Sequence, residues 1–480
     1  MATISSPGIG SGLDVNSIVT QLVAIERQPI TQLQTQASAL QTKLSAFGKV
    51  QSYLSTLRDA AAALTSPSTW SQTTGTSSDT SSVSVTTDAS NRPGNYSVQV
   101  TQLAQAQTNI SKTYASADDL VGEGTLHIEL GSWDSGSTFT ANPAATAVDI
   151  SIGPPAKSLA QVRDMVNAAN AGITATVLTD ASGARLVFTS STTGAANGFK
   201  VTVTDNDGGN VDTSGLSALA FDPSVGVVTM SQALAAANAS ALINGATVTS
   251  ATNSLTNVID GMTLQLQRVT TAPVQITTAS DKDAVRKKIE DFVKAYNDLN
   301  NELATDTKYD AATKAAGTLQ GDSAAVSLRN GLRSMLGGTS GASTVFTRLA
   351  DIGFNVQRDG TVSLDSTKLD NALANLGELK KVFSNSDTVT PANNGFATLF
   401  RQFADQAVGV DGTIAARTDG IRASISRNED RQAELEVRVT QTEDRLRKQY
   451  TALDAQMGQL QSLSTYVTQQ LTILSNNSGK

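Results

Sequence analysis

Near the end of the chain Val439, Leu446, Leu453, Leu460, Val467 and Leu474 recur every seven residues without a miss. A strict seven-residue apolar repeat keeps one stripe of an α-helix turned toward a partner, so this stretch must be helical and its seam must be covered. Ile421, Leu435, Leu463 and Leu471 supply much of the second row, while Asn428, Thr442 and Gln449 interrupt it with polar groups suited to fixing register. Only Gly420 and Gly458 oppose a helix between Thr413 and Leu474. At 1.5 Å per residue that helix is about 90 Å long, and it cannot bury its seam alone.

A second copy of the pattern opens the chain. Asp14 is a natural N-cap for a helix starting at Val15, with Ile18, Leu22 and Ile25 on one face. Pro29 kinks or restarts it. From there Leu33, Ala37, Leu40, Leu44, Phe47, Val50, Leu54, Leu57, Ala61 and Leu64 step by three and four until Ser66-Pro67-Ser68 breaks the run. The expected oligomer or coiled-coil seam is therefore Leu33, Leu40, Phe47 and Leu54 together with Val439, Leu446, Leu453, Leu460, Val467 and Leu474. Antiparallel pairing of the two ends is the simplest arrangement. No charged residue occurs from Gln28 to Thr42 or from Ala455 to Gly479, where a solvated helix normally carries charge, so these ends are expected to pack against other subunits.

A third helix is expected after Ser280, with Asp283 completing a capping box and Val285, Ile289, Phe292, Tyr296, Leu299 and Leu303 as its seam. Shorter helices are expected at Asp322 to Leu336, Thr367 to Phe383 and Asn394 to Val408. A hairpin should turn at Asp359-Gly360. Between about Thr69 and Ala279 the pattern changes to alternation, as in Tyr96 to Val100, Leu126 to Leu130 and Phe199 to Val203, broken only by a helix near Leu159 to Asn170. The fold class is thus α+β and multidomain: terminal helices paired in a coiled coil, a helical bundle domain with a small hairpin, and inserted β-rich domains. The expected boundaries are 1–42 with 436–480, 43–75 with 280–435, 76–122 with 231–279, and 123–230.

Candidate chemistry is sparse. The chain has no cysteine, which removes disulfides and thiolate chemistry, and a net charge of −8, which disfavours a nucleic-acid surface. Met1 to Ile25 holds neither a cleavable signal peptide nor a membrane span. His127, the single histidine, sits in an alternating strand and reads as a surface residue rather than the centre of a Ser-His-Asp triad. Asp205-Asn206-Asp207-Gly208-Gly209-Asn210 resembles the start of a calcium loop, but Leu216 stands where a bidentate Glu belongs, so it reads as a turn. Gly8, Gly10 and Gly12 lack the flanking strand and Lys of a phosphate loop and read as a flexible leader. No cofactor, metal or catalytic residue is expected.

Several words of the sequence resemble the flagellar filament cap family: Ser6 to Val19 with the following Leu22 to Pro29, then Leu242 to Gly245, Asn253 to Leu266, Phe292 to Asn297 and Leu319 to Asp322. Gly124 to Leu130, Ser158 to Asn170 and Arg185 to Gly194 resemble the small module shared with flagellins, and only Gly209 to Met230 is unmatched. The resemblance implies export through the flagellar type III channel and a secreted, ring-shaped homo-oligomer, pentameric, at the filament tip. Its β-rich modules would form a plate and its helical domain the legs. It also implies flagellin, hook–filament junction proteins and an export chaperone for the C-terminal helix as partners, with no membrane insertion and no nucleic acid. A surface adhesin or fibre-like protein binding host mucus is the alternative.

Overall fold

Placing an apolar seam at both ends of one chain lets the ends meet and leaves the middle to fold apart from them. The computed structural model describes residues 14–477, so the leader with Gly8, Gly10 and Gly12 lies outside the described residues. In chain order its helices are α1 (Val15–Glu26), α2 (Gln28–Thr65), α3 (Pro67–Ser71), α4 (Leu159–Ala169), α5 (Lys282–Thr307), α6 (Ser323–Gly337), α7 (Ser366–Leu373), α8 (Leu376–Ser384), α9 (Phe396–Val408) and α10 (Thr413–Asn477). One compact unit joins the residues up to Ser66 with those from Val285 onward, and the other spans Pro67–Ala284.

The first unit is helical. Asp14 accepts a hydrogen bond from the Ser17 amide at 2.9 Å and starts α1, and Arg27 alone separates α1 from α2. Pro29 lies in the first turn of α2, where its missing N–H has no intrahelical partner to lose. The buried face of α1 is Val15, Val19 and Val23, whereas Ile18 and Leu22 are half-buried and Ile25 is exposed. This corrects the face expected from the sequence. Both sets sit at helical spacing, so α1 is apolar over a wide arc, and its packing partner rather than its own pattern selects the covered side.

Along α5 the expected face is buried from Val285 to Leu303. Its cap is different from the one expected: Asp281 accepts from the Ala284 amide at 2.8 Å, while Ser280 ends a strand paired to Thr73. A short carboxylate three residues before that amide out-competes a hydroxyl already committed to extended backbone. The stretch expected as one helix from Thr367 to Phe383 is two, α7 and α8, which break at Ala374-Asn375. The hairpin pairs Phe354–Val356 with Val362–Leu364, and its turn needs the positive φ of Gly360, 88°. Phe292 meets Phe400 edge-on with ring centroids 5.2 Å apart, and Phe354 packs on Phe383, so aromatic contacts join α5, α8, α9 and the hairpin.

The second unit holds two apolar cores. In the first, an antiparallel five-stranded sheet runs in the order Thr73–Ser77, Val274–Ser280, Gly94–Gln102, Ala239–Ile243, Ala246–Ser250. A three-stranded sheet of Ser254–Ile259, Met262–Leu266 and Val83–Thr87 shares its core of Val83, Val98, Val100, Leu255, Leu264 and Ile276. The other core lies between a six-stranded sheet centred on Leu120–Trp133 and Gly198–Asp205 and a four-stranded sheet that includes Ile173–Asp180 and Gly183–Ser190. Period-two patterning is visible in Gly183–Ser190, which buries Ala184, Leu186, Phe188 and Ser190 in alternation. Helix α4 closes this core with Leu159, Val162 and Val166, started by a capping box between Ser158 and Gln161 and ended by left-handed Asn170.

Candidate functional site

The long helix α10 is covered along part of its length and bare along the rest. Val439, 2% exposed, packs with Val15, Val19, Val23 and Ile30, and Leu435, Leu446 and Tyr450 flank this cluster half-buried. Arg447 donates to Asn16 Oδ1 at 3.1 Å and Arg27 pairs with Glu436 at 3.1 Å. These contacts fix α1 antiparallel to α10, with Asn16 toward the C-terminal end. Lower down, Ile414 and Ile421 of α10 are buried, as are Phe47 and Leu54 of α2, while Leu33 and Leu40 are half-buried. Asn428, one of the polar interruptions of the seam, is buried and accepts from Gln432 Nε2 at 2.6 Å.

Past Tyr450 the same row emerges into solvent. Leu453 is 43% exposed, Leu460 60%, Val467 46% and Leu474 63%. Met457, Leu463, Tyr466, Leu471 and Ile473 are exposed beside them. From residue 453 to residue 474 this stripe is about 32 Å long. Four of its hydroxyls turn back onto the helix: Ser462, Thr465, Thr468 and Thr472 each donate to a carbonyl four residues back, on Gly458, Gln461, Ser464 and Thr468. The surface is therefore apolar in its aliphatic groups, internally bonded at these four hydroxyls and free of charge from Ala455 to Gly479.

Of the ten expected seam residues, Phe47, Leu54 and Val439 are buried, and Leu33, Leu40 and Leu446 are half-buried. Leu453, Leu460, Val467 and Leu474 are exposed.

His127 Nδ1 lies 2.6 Å from Asp149 Oδ1, on the neighbouring strand directly opposite it. Sequence reading did not find this partner, because only the strand register brings the two together. Among the described residues no hydroxyl is hydrogen-bonded to the histidine, and both side chains are exposed. In the calcium-like loop Asp205 Oδ2 accepts from the Ser217 amide, Asp207 Oδ1 accepts from the Gly209 amide, and Leu216 is fully buried. Those carboxylates close local turns. No group of three or more His, Cys, Asp or Glu among the described residues is placed to hold a metal ion. No helix among them is long and apolar enough to cross a membrane.

Comparison with known proteins gives this arrangement its context. A family model described as the flagellar hook-associated protein 2 N-terminus matches residues 11–107, and one for the C-terminus of the same protein matches residues 236–462. Flagellar hook-associated protein 2 of Escherichia coli is 32% identical over 489 aligned residues, covering 99% of this chain and all of that protein. This chain belongs to the flagellar hook-associated protein 2 family. The B-type flagellar hook-associated protein 2 of Pseudomonas aeruginosa is likewise 32% identical, with full coverage of both chains. A crystal structure of three domains of the flagellar cap protein FliD of Escherichia coli aligns with a TM-score of 0.58 at 29% identity, covering 78% of this chain and 99% of that one. Membership in the hook-associated protein 2 family accounts for terminal helices around inserted β-rich modules.

Proposed function

We infer that the chain is exported and caps the distal tip of a bacterial flagellar filament, as a structural assembly factor and not an enzyme. The observation that carries this is the end-to-end match to flagellar hook-associated protein 2, joined to the likeness to the flagellar cap crystal structure. The fibre or adhesin alternative has no such support.

Beyond capping, the chain promotes folding and insertion of flagellin as it emerges and keeps it from leaking away. It works as a ring of identical copies, most simply five, and stands on the filament after the hook–filament junction proteins. The bare end of α10 is its assembly surface, held by an export chaperone before secretion and by neighbouring subunits afterwards. Energetics support an apolar contact there. Leu453, Leu460, Leu463, Val467, Leu471 and Leu474 are 43–63% exposed, so completing their burial is worth roughly 0.7–2 kcal/mol each before ordering costs, against about 0–1 kcal/mol for an exposed ion pair. Many moderate contacts in place of a few anchors also suit legs that must release and regrip as flagellin is added.

Deletion in the source organism tests the reading: unpolymerised flagellin should accumulate in the medium and filaments should be short or absent. Normal filaments would refute it. Electron microscopy of the purified chain should show rings or stacked pairs of rings, whereas monomers alone would remove the ring.

A further inference from the structure

In the middle of α10 the charges are sorted by face. Arg431, Arg438 and Arg445 recur every seven residues, and all three are exposed. Asp430 and Asp444, also exposed, stand immediately before Arg431 and Arg445, so they form a second row about 100° around the helix at the same heights. Val437, 59% exposed, fills the middle of that acidic row beside Arg438. From residue 430 to residue 445 the two rows run together for about 22 Å.

The other arginines of α10 find partners within the chain. Arg417 reaches Asp322 at 2.7 Å, Arg422 reaches Asp419 at 2.7 Å, Arg447 reaches Glu443 at 2.8 Å, and Arg427 donates to Ser424 Oγ at 3.0 Å. Arg431, Arg438, Arg445, Asp430 and Asp444 make no ion pair and no side-chain hydrogen bond among the described residues. Glu434 precedes Arg438 by four positions, the favoured order for a pair within a helix, and still does not engage it. Solvation explains charges on an open face. It does not explain three unpaired arginines at one heptad position beside acids at the adjacent one. In helices that pair side by side, rows of charge flanking the seam choose the partner and its direction.

We propose that the arginine row of α10 docks on the acidic row of α10 in a second copy of this chain, the two helices lying parallel without axial shift. In that register the neighbour's Asp430 meets Arg431 and its Asp444 meets Arg445, while its Val437 covers the methylene stem of Arg438. Like rows face to face would repel. Turning the neighbour end for end still matches Asp430 with Arg445 and Asp444 with Arg431, but it sets Arg427 against Lys448, a like-charge contact. One face meeting a different face is a heterologous contact, the kind that closes rings. The proposal rests on the reading that copies assemble and supplies the direction: parallel copies also bring their bare stripes from Leu453 to Leu474 to the same level.

Sedimentation velocity on the full chain tests it with three variants. Arg431→Glu and Asp430→Lys should each weaken self-association about fivefold, because each turns one attractive contact into a like-charge one. The chain carrying both should recover the parent's association, since in the parallel register the two reversed charges face each other. In the inverted register they would oppose Asp444 and Arg445, and association would weaken further. All three should melt as the parent does, because exposed substitutions change stability little. Single variants that associate as the parent does overturn the contact, and a double variant that fails to recover overturns the parallel register. An unaltered chain that stays monomeric at every concentration overturns the ring and this contact with it, whereas an associating parent with unaffected variants overturns this contact alone.

Discussion

Val439 and Leu460 lie three heptads apart on one helix and one row, yet the first is 2% exposed and the second 60%. The difference lies in what runs beside them. Helix α1 has 12 residues and covers about 18 Å of α10, after which the seam continues bare. Charge follows coverage. Around the covered cluster, Glu436, Arg438, Glu443 and Arg447 give the outer face both signs, whereas from Ala455 to Gly479 there is none. A periodic row fixes which face of a helix is apolar. Among the described residues, the length of the neighbouring element decides how much of that face is covered.

The comparison breaks most sharply at its covered end. Val439→Asp would put a carboxylate among Val15, Val19, Val23 and Ile30 and should cost about 3–5 kcal/mol. Hydrogen exchange should then show α1 amides losing protection while Gly94–Gln102 keeps its own; an α1 that stays protected would mean α10 is not what holds it. At the bare end, Leu460→Ala with Val467→Ala should leave the melting temperature of the free chain nearly unchanged, because surface changes fall within about 0.5 kcal/mol. Self-association should weaken by about tenfold per residue. A large drop in the melting temperature with intact assembly would reverse the roles of the two ends.

Titration sharpens the contrast, since from Ala455 to Gly479 no Asp, Glu, Lys, Arg or His is present. In the bundle, burial first and the charge of Glu302 second raise the Asp306 pKa above 3.8. A raised carboxyl pKa contributes stability that is complete below the unfolded value and is lost as pH rises through the folded one. Asp306→Asn should therefore be more stable than the parent at pH 7, with the gap closing by pH 3 in thermal melts. A gap that instead opens toward acid would assign the opposite sign to this site. The smallest effect belongs to the Arg27–Glu436 pair at 3.1 Å, whose side chains are 51% and 42% exposed. Arg27→Gln should cost about 0–1 kcal/mol, and a double-mutant cycle with Glu436→Gln should lose its coupling in high salt.

Helices and strands were legible where one period dominated: the heptads predict α10, and the alternations in Tyr96–Val100 and Phe199–Val203 predict strands. What failed was local competition between similar signals. Ser280 and Asp281 are both good caps, and only pairing of Ser280 with Thr73 decides between them. Ile18 and Val19 are both apolar at helical spacing, and only the position of α10 selects Val19. For the site, the apolar row was readable residue by residue, but the point where α1 gives out near Tyr450 was not, because it depends on how far one helix reaches along another.

The chain enters its β-rich unit through Thr73–Ser77 and leaves through Val274–Ser280, two antiparallel neighbours with Thr73 opposite Ser280. Drag on that unit therefore divides between two covalent tethers that emerge side by side. A nick in one crossing would leave the module attached by its twin, and added length anywhere between the crossings would leave the spacing of the anchors unchanged.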